Sequence, residues 1–225
     1  MVRPSTRKII LTDSSLYNVW TYANLKTADH HMEIEAVVGA RIRDLTKLIF
    51  KLYLKHPQRL DIVLVAGINN IGDGQPVSEI VEEIKELRES LQAHSTVYKQ
   101  SLPSVLSIST VVYAPKFCSL EVPANLAEWQ PPPGFTNRRV EIEALNAAIA
   151  AMNKESGVNY LKLHMEGIRI DAKRKKTMHK HNPKSPIWRE PEIRKRLHMT
   201  EEYKVRIVNL AKIIFRGGLT KLGNW

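Results

Sequence analysis

Short apolar runs rich in β-branched residues alternate along the chain with longer segments whose apolar residues recur at helical spacing. This alternation predicts an α/β fold, a three-layer sandwich in which helices flank a five-stranded, mainly parallel sheet. The predicted strands cover residues 8–12, 32–38, 61–67, 104–113 and 158–164. The predicted helices cover residues 16–24, 42–53, 77–91, 137–154 and 200–215.

Size and composition favour one domain over residues 1–225. The chain has 43% apolar residues, and its length is below the roughly 250 to 300 residues at which one core usually splits. No apolar run is long enough to cross a membrane, and the apolar stretch behind the basic first residues is too short for a signal peptide. The single cysteine, Cys118, excludes an internal disulfide. We therefore expect an intracellular protein, cytoplasmic or nuclear.

Positive charge is concentrated in one segment. The whole chain carries 34 basic and 23 acidic side chains, a formal net charge of +11. Residues 173–196 contain ten cations and two carboxylates, a net of +8, which leaves +3 for the rest. We expect this segment to form a basic loop inserted at about 171–196, because Pro183, Pro186 and Pro191 interrupt it.

Residues suited to acyl transfer follow several of the predicted strands. Ser14 follows the first strand, Gly39 the second and Asn69 the third, while His198 precedes the last predicted helix. Ligands bind at the carboxyl edge of an open parallel sheet, so these residues are expected to surround one binding site. There a serine can attack a carbonyl, a histidine can take its proton, and main-chain and asparagine N–H groups can stabilise the oxyanion.

These stretches resemble the sequence blocks of the SGNH or GDSL-type hydrolases, which have a flavodoxin-like fold. The matching stretches are Thr12-Asp13-Ser14, Gly39, Gly67-Ile68-Asn69-Asn70 and Lys195-Arg196-Leu197-His198. The order of the blocks is that of the family from residue 8 to 215. The resemblance implies ester hydrolysis, with Ser14 as nucleophile, Gly39 and Asn69 as oxyanion donors and His198 as general base. The Pro-rich connection after the fourth strand is similar to that of SGNH-like domains encoded by animal mobile elements.

The sequence departs from the family pattern at three positions. Thr12 replaces a glycine, Asn70 replaces an aspartate, and Lys195 stands where the family has the third member of the triad. A lysine cannot orient the imidazole or stabilise imidazolium, and loss of the triad aspartate from a serine protease lowers turnover about 10⁴-fold. We therefore expect a degraded Ser14–His198 dyad with weak activity on a small acyl ester.

Each candidate residue also has a structural interpretation. Ser14 suits a helix N-cap, and Gly39 and Gly67 suit turns that require positive φ. Asn69–Asn70 suits turn chemistry, and His198 suits a packed position at a helix entry. Only the order in which the positions occur favours the catalytic interpretation.

The basic segment suggests RNA or DNA as a partner, because lysine and arginine bind phosphates without sequence preference and an aromatic side chain can stack on bases. The alternative function is therefore an inactive SGNH-fold module that binds nucleic acid. A solvated loop, a nuclear-import signal at 173–176 or a scaffold without catalysis also fits the charge. We expect no cofactor and no metal, since His179 and His181 lie in a lysine-rich run without nearby carboxylates. The residues expected to bind nucleic acid are Lys173, Arg174, Lys175, Lys176, Lys180, Lys184, Trp188, Arg189, Arg194, Lys195 and Arg196.

Overall fold

The structure is a computed structural model that describes residues 6–16, 32–111, 136–163, 188–189, 198–199 and 201–217. Four parallel strands form its main sheet in the order β2-β1-β3-β4. These strands are β1 (Arg7–Thr12), β2 (Met32–Ala36), β3 (Leu60–Val65) and β4 (Val105–Ile108). The helices are α1 (Ile42–Leu52), α2 (Ile68–Gly72), α3 (Val77–Val97), α4 (Arg139–Glu155) and α5 (Glu201–Gly217), with a 3₁₀ helix at Ser14–Leu16. The α/β class and the parallel sheet are as predicted from the sequence.

Alternating strand residues separate two apolar clusters, one on each face of the sheet. Ile9 and Ile62 face the cluster that contains the buried stripes of α1, α3 and α4. Ile10 and Val63 face the other cluster, where α5 packs through residues that include Ile207. The central residues 9–11 of β1 and 62–65 of β3 are buried on both faces and form continuous apolar runs, as expected for inner parallel strands.

Among the described residues the main sheet has four strands rather than the five predicted, because residues 158–162 do not pair as a strand. Their segment still runs beside β4, where the Thr110 N–H donates to the Leu161 carbonyl at 2.9 Å. Next to this contact, the side chain of Asn153 on α4 binds the main chain of β4 instead. Its amide accepts from the Ile108 N–H at 3.2 Å and donates to the Ile108 carbonyl at 2.8 Å. The outer main-chain groups of Ile108 are therefore already satisfied, which leaves no continuous ladder for a fifth strand.

A second asparagine on α4 repeats this arrangement at Val111, which follows the end of β4. Asn146 accepts from the Val111 N–H at 2.6 Å and donates to the Val111 carbonyl at 3.0 Å. Asn146 and Asn153 lie seven residues apart on the buried face of the helix. Two asparagines at that spacing within the apolar stripe of α4 are the sequence signal that the outer side of β4 is bound by side chains. Hydrophobic periodicity alone does not reveal this.

A polar cluster joins α1 to the edge strand β2. The Tyr53 hydroxyl lies 2.8 Å from a carboxylate oxygen of Glu35 and 3.1 Å from one of Glu33. Arg7 forms a bidentate ion pair with Glu33 and lies over the Tyr53 ring, 4.6 Å from its centroid. Burial of the phenol, together with the two carboxylates, raises the pKa of Tyr53 well above its usual range. The phenol therefore stays a neutral donor in the folded protein.

Two further predictions are changed or untested. The first residues after β3, predicted as a turn, form the short helix α2, and α3 extends to Val97 rather than ending near residue 91. The helix predicted at 16–24 begins as the 3₁₀ helix, and its remainder lies outside the described residues, as does the Pro-rich connection. Among the described helices, none is both long and apolar enough to cross a membrane.

Candidate active site

The carboxyl ends of the three strands β1, β2 and β3 are tied together by hydrogen bonds. The Val37 N–H donates to the Thr12 carbonyl at 3.0 Å, which joins the end of β2 to the end of β1. The Thr12 hydroxyl donates to the Val65 carbonyl at 2.9 Å, which joins β1 to β3. Thr12 is fully buried, so the threonine that replaces the family glycine is part of this junction. Three of the four sequence stretches predicted to form the site thus begin at the same carboxyl edge of the sheet, which we name the rim.

Ser14 begins the 3₁₀ helix immediately after β1, at the position predicted from the sequence. Its neighbours form a compact turn around Asp13, which is fully buried. One carboxylate oxygen of Asp13 accepts from the Ser15 N–H at 2.8 Å and from the Ser15 hydroxyl at 2.5 Å. The second serine of the block is therefore engaged in the turn, and it is Asp13 and Ser15 that fix the backbone on either side of Ser14.

The loop after β2 contacts the helix after β3 through Asn69. The Asn69 side-chain nitrogen donates to the Ala40 carbonyl at 3.0 Å. Gly39, the preceding residue, has a φ of +73°, and open space surrounds the position of a Cβ there. The two predicted oxyanion donors thus lie in a loop (Gly39) and in an adjacent short helix (Asn69), and a direct hydrogen bond joins the loop to the helix. Val38 lies at 63% exposure on the same loop.

Gly67 occupies a tighter position at the start of α2. Its φ is +120°, in the left-handed range that favours glycine, and it is buried. A Cβ there would lie 3.1 Å from a methyl group of Val111 and 3.3 Å from one of Leu145. The turn interpretation of Gly67 therefore has a structural basis. The same turn leads into α2 and so sets the position of Asn69 in that helix.

Asn70, which replaces a family aspartate, is fully buried and lies at the centre of a polar network. Its oxygen accepts from the Ile42 N–H, in the first turn of α1, at 3.2 Å. Its nitrogen donates to Gln75 at 2.6 Å and to Glu83 at 3.2 Å, and Gln75 donates to the other oxygen of Glu83 at 2.9 Å. An amide is required here because the residue must accept on one side and donate on the other. Asn70 thus joins α1, α2 and α3 beneath the rim.

His198 lies in a short strand β6 (His198–Met199), which pairs antiparallel with β5 (Trp188–Arg189). The register places Arg189 opposite His198 and Trp188 opposite Met199. Residues 188–189 of this strand pair lie within the segment predicted to form the basic loop. The pairing brings the backbone of a predicted nucleic-acid residue, Arg189, beside that of the predicted general base.

The other predicted nucleic-acid residues lie outside the described residues, and the proposed insertion therefore stays a prediction. They are Lys173, Arg174, Lys175, Lys176, Lys180, Lys184, Arg194, Lys195 and Arg196. Within the ranges that the structure describes, no group of three or more histidine, cysteine, aspartate or glutamate residues is arranged to hold a metal ion.

Comparison with solved structures identifies proteins of the same architecture. A crystal structure of an acetyl xylan esterase superposes with a TM-score of 0.60 at 14% identity, covering 95% of this chain and all of that chain. A putative acylhydrolase from Bacteroides fragilis gives a TM-score of 0.63 at 13% identity, covering 94% and 87% of the two chains. A GDSL-like lipase from Bacteroides thetaiotaomicron gives 0.59 at 13% identity, covering 97% and 93%.

No protein-family model matches the sequence, and no curated protein does. At identities of 13–14% the similarity to these solved structures concerns the fold. The chain has the α/β fold of GDSL-type esterases and acylhydrolases.

Proposed function

We propose that the protein is an ester hydrolase that uses Ser14 as nucleophile and His198 as general base on a small acyl ester. The observation that carries this proposal is the hydrogen bond from Asn69 to the Ala40 carbonyl, 3.0 Å long. It holds a side-chain amide beside the Gly39 loop, at the sheet edge where Ser14 follows β1. Acyl transfer requires N–H donors that can stabilise the oxyanion, and the Gly39 main chain and the Asn69 amide are the donors proposed here.

In the proposed reaction the Ser14 hydroxyl oxygen attacks the acyl carbon while His198 accepts its proton. The oxyanion then accepts hydrogen bonds from the Gly39 main-chain N–H and from the Asn69 amide, whose NH₂ group carries a second hydrogen beside the one donated to Ala40. Collapse of the intermediate breaks the bond to the alcohol, which leaves with the proton from His198. Water, deprotonated by the same histidine, then releases the acid and restores the serine.

The proposed site has a degraded triad. Lys195, three residues before His198, occupies the position of the family aspartate. A cation near the imidazole disfavours imidazolium, which forms when serine loses its proton. Turnover is therefore expected to be slow.

The basic segment adds a second element to the proposal, association with RNA or DNA. The net charge of +8 over residues 173–196 supports it, since each phosphate contact releases counterions. The alternative is a catalytically inactive module of the same fold that binds nucleic acid through these residues. The substitution at Lys195 is the observation that favours this alternative.

Ester hydrolysis is tested with p-nitrophenyl acetate and longer acyl esters on the purified chain. Measurable turnover that is lost in Ser14→Ala and in His198→Ala supports the enzyme, provided that both variants keep the circular dichroism spectrum and melting temperature of the native protein. Absence of turnover, or turnover unchanged in Ser14→Ala, contradicts it. Salt-dependent oligonucleotide binding without turnover would instead support the inactive module.

A further inference from the structure

A line of cations follows the exposed face of α1, far from the basic segment in sequence. Arg43, Lys47 and Lys51 are four residues apart on the helix, and Lys55 continues the spacing just beyond it. All four side chains are exposed. We name these residues the α1 basic stripe. Because four residues of helix rise about 6 Å, the stripe presents successive charges along one line.

The four cations of the stripe have no acidic partner in the described parts of the chain: no carboxylate there lies within ion-pair distance of them. By contrast, Arg41, which precedes the helix, pairs with Asp73 at 2.7 Å, and Lys85 on α3 pairs with Glu82 at 2.7 Å. The stripe is thus a row of exposed cations available to an external anion.

The stripe borders a groove between α1 and α3 with a volume of about 550 Å³. Phe50 lines this groove with 47% of its surface exposed, so its ring is accessible to a ligand in the groove. Thr46 lies on the α1 side, and Glu83 and Glu86 line the α3 side. We name this feature the α1–α3 groove. Its volume lies within the range of sites that hold a small-molecule ligand or a nucleotide unit.

The chemistry of the groove distinguishes between anionic partners. A phosphate chain along the stripe meets cations, and the face of a base can stack on Phe50. On the opposite side the exposed carboxylate of Glu86 can accept a hydrogen bond from the amino group of a base such as cytosine, whereas both oxygens of Glu83 already accept from Asn70 and Gln75. An acidic peptide would meet the same cations, but it has no base to stack on Phe50 and no exocyclic amino group to donate to a carboxylate of the groove. The combination of cations, an aromatic ring and carboxylates therefore favours a nucleic acid over an acidic protein.

We propose that the α1 basic stripe and the α1–α3 groove form a binding site for single-stranded nucleic acid, separate from the basic segment. The site reaches the rim of the candidate active site, because Arg43 follows Ile42, whose N–H binds Asn70, and Glu83 also binds Asn70. A bound strand runs along α1 with its phosphates on the stripe and a base in the groove. This proposal does not depend on ester hydrolysis, and it adds a surface that the total charge of the chain does not reveal.

The test measures fluorescence anisotropy of a labelled single-stranded oligocytidylate of about 12 nucleotides, a length that spans the site sizes of single-strand binding folds. To separate the two basic surfaces, every protein carries glutamine in place of all ten cations of residues 173–196. In this background, salt-dependent binding is expected through α1. Absence of binding overturns the proposal, while the ester hydrolase and the role of the basic segment are judged by their own assays.

Neutralising the stripe tests the phosphate contacts. Lys47→Gln with Lys51→Gln is expected to weaken binding about tenfold and to reduce the slope of log K against log salt by about 1.4, that is, about 0.7 for each lost contact. The matched control is Lys99→Gln with Lys154→Gln, which removes the same charge from exposed positions outside the groove. Equal losses in the two double variants would show non-specific charge attraction and overturn the site.

Phe50→Ala tests base stacking. It is expected to weaken oligocytidylate binding by about fivefold or more while leaving heparin, a polyanion without bases, unchanged. Val140→Ala, at a position 75% exposed on α4, is the control for loss of an exposed apolar side chain. Equal loss of heparin and oligonucleotide binding in Phe50→Ala contradicts stacking. Competition by oligoglutamate as strong as that by the oligonucleotide would overturn the nucleic-acid site in favour of an acidic protein partner.

Discussion

The Asn69 side-chain amide donates a hydrogen bond to the Ala40 carbonyl at 3.0 Å, so the helix after β3 and the loop after β2 are held in direct contact. Residues 69 and 40 are 29 positions apart in sequence. Their contact forms because both follow strands that lie on either side of β1 in the sheet. The geometry of the proposed oxyanion site therefore follows from the strand order.

Removal of the Asn69 amide tests its proposed role. Asn69→Ala is expected to lower kcat for p-nitrophenyl acetate by about 10²- to 10³-fold, because one oxyanion donor is lost. The loss of the hydrogen bond to Ala40 is expected to lower the free energy of unfolding by only about 1 kcal/mol. Gln92→Ala, which removes an exposed amide on α3, is the control. An unchanged kcat in a folded Asn69→Ala variant would exclude Asn69 from the mechanism.

An aspartate at position 70, the residue of the GDSL-type pattern, is expected to destabilise this chain. Asn70→Asp keeps an oxygen for the Ile42 N–H but replaces the donor that lies 3.2 Å from Glu83 with a second carboxylate. Two carboxylates in a buried network repel each other, and we expect a loss of about 2 kcal/mol or more at pH 7, measured by urea unfolding.

A second substitution identifies the cause of that loss. Adding Glu83→Gln to Asn70→Asp is expected to recover most of the stability at pH 7. Without recovery in the double variant, the network would not depend on the charge of Glu83.

The two positive-φ glycines of the rim provide a matched pair. Gly67→Ala combines a strained φ of +120° with close contacts to Val111 and Leu145, and we expect a loss of about 2 kcal/mol or more. Gly39→Ala meets open space at a φ of +73°, so only the left-handed backbone cost of about 1 kcal/mol applies. Chemical unfolding of both variants measures the difference, and an equal loss would contradict the close packing around Gly67.

Tyr53 is expected to make stability depend on alkaline pH. Its folded-state pKa is raised by burial and by Glu35 and Glu33, so its contribution is fully present below the ordinary phenol pKa of about 10 and is lost as pH rises further. Tyr53→Phe is expected to be about 1 to 2 kcal/mol less stable at pH 7. The difference in free energy of unfolding between the native protein and Tyr53→Phe should stay constant to pH 9. It should then decrease by about 1.4 kcal/mol for each pH unit above 10. A constant difference at pH 11 would contradict the raised pKa.

The fold was predictable where one physical rule dominates. Inner strands β1 and β3 are apolar on both faces, and α1 has a clear apolar stripe, so their type and place follow from periodicity. The absent fifth strand depends on Asn153 binding the main chain of Ile108, a tertiary contact that no local pattern encodes. Helix α2 is five residues long and depends on its contacts with α1 rather than on propensity.

The candidate site was predictable in its components but not in its hydrogen bonds. The positions of Ser14, Gly39 and Asn69 at strand ends follow from the order of elements, since parallel strands share a carboxyl edge. The bond from Asn69 to Ala40 depends on which loops become neighbours, which is decided by the strand order. The net charge of a segment does not reveal the α1 basic stripe, because a sum of charges contains no information about the four-residue spacing of its cations.

The most direct measurement of the central claim is labelling by an activated organophosphorus ester, followed by peptide mass spectrometry. Ser14 and Ser15 are adjacent, and the Ser15 hydroxyl is already donated to Asp13. We predict one adduct per chain, on Ser14, which is lost in Ser14→Ala and His198→Ala and retained in Ser15→Ala. An adduct on Ser15, or no adduct in a chain that hydrolyses esters, would contradict Ser14 as the nucleophile.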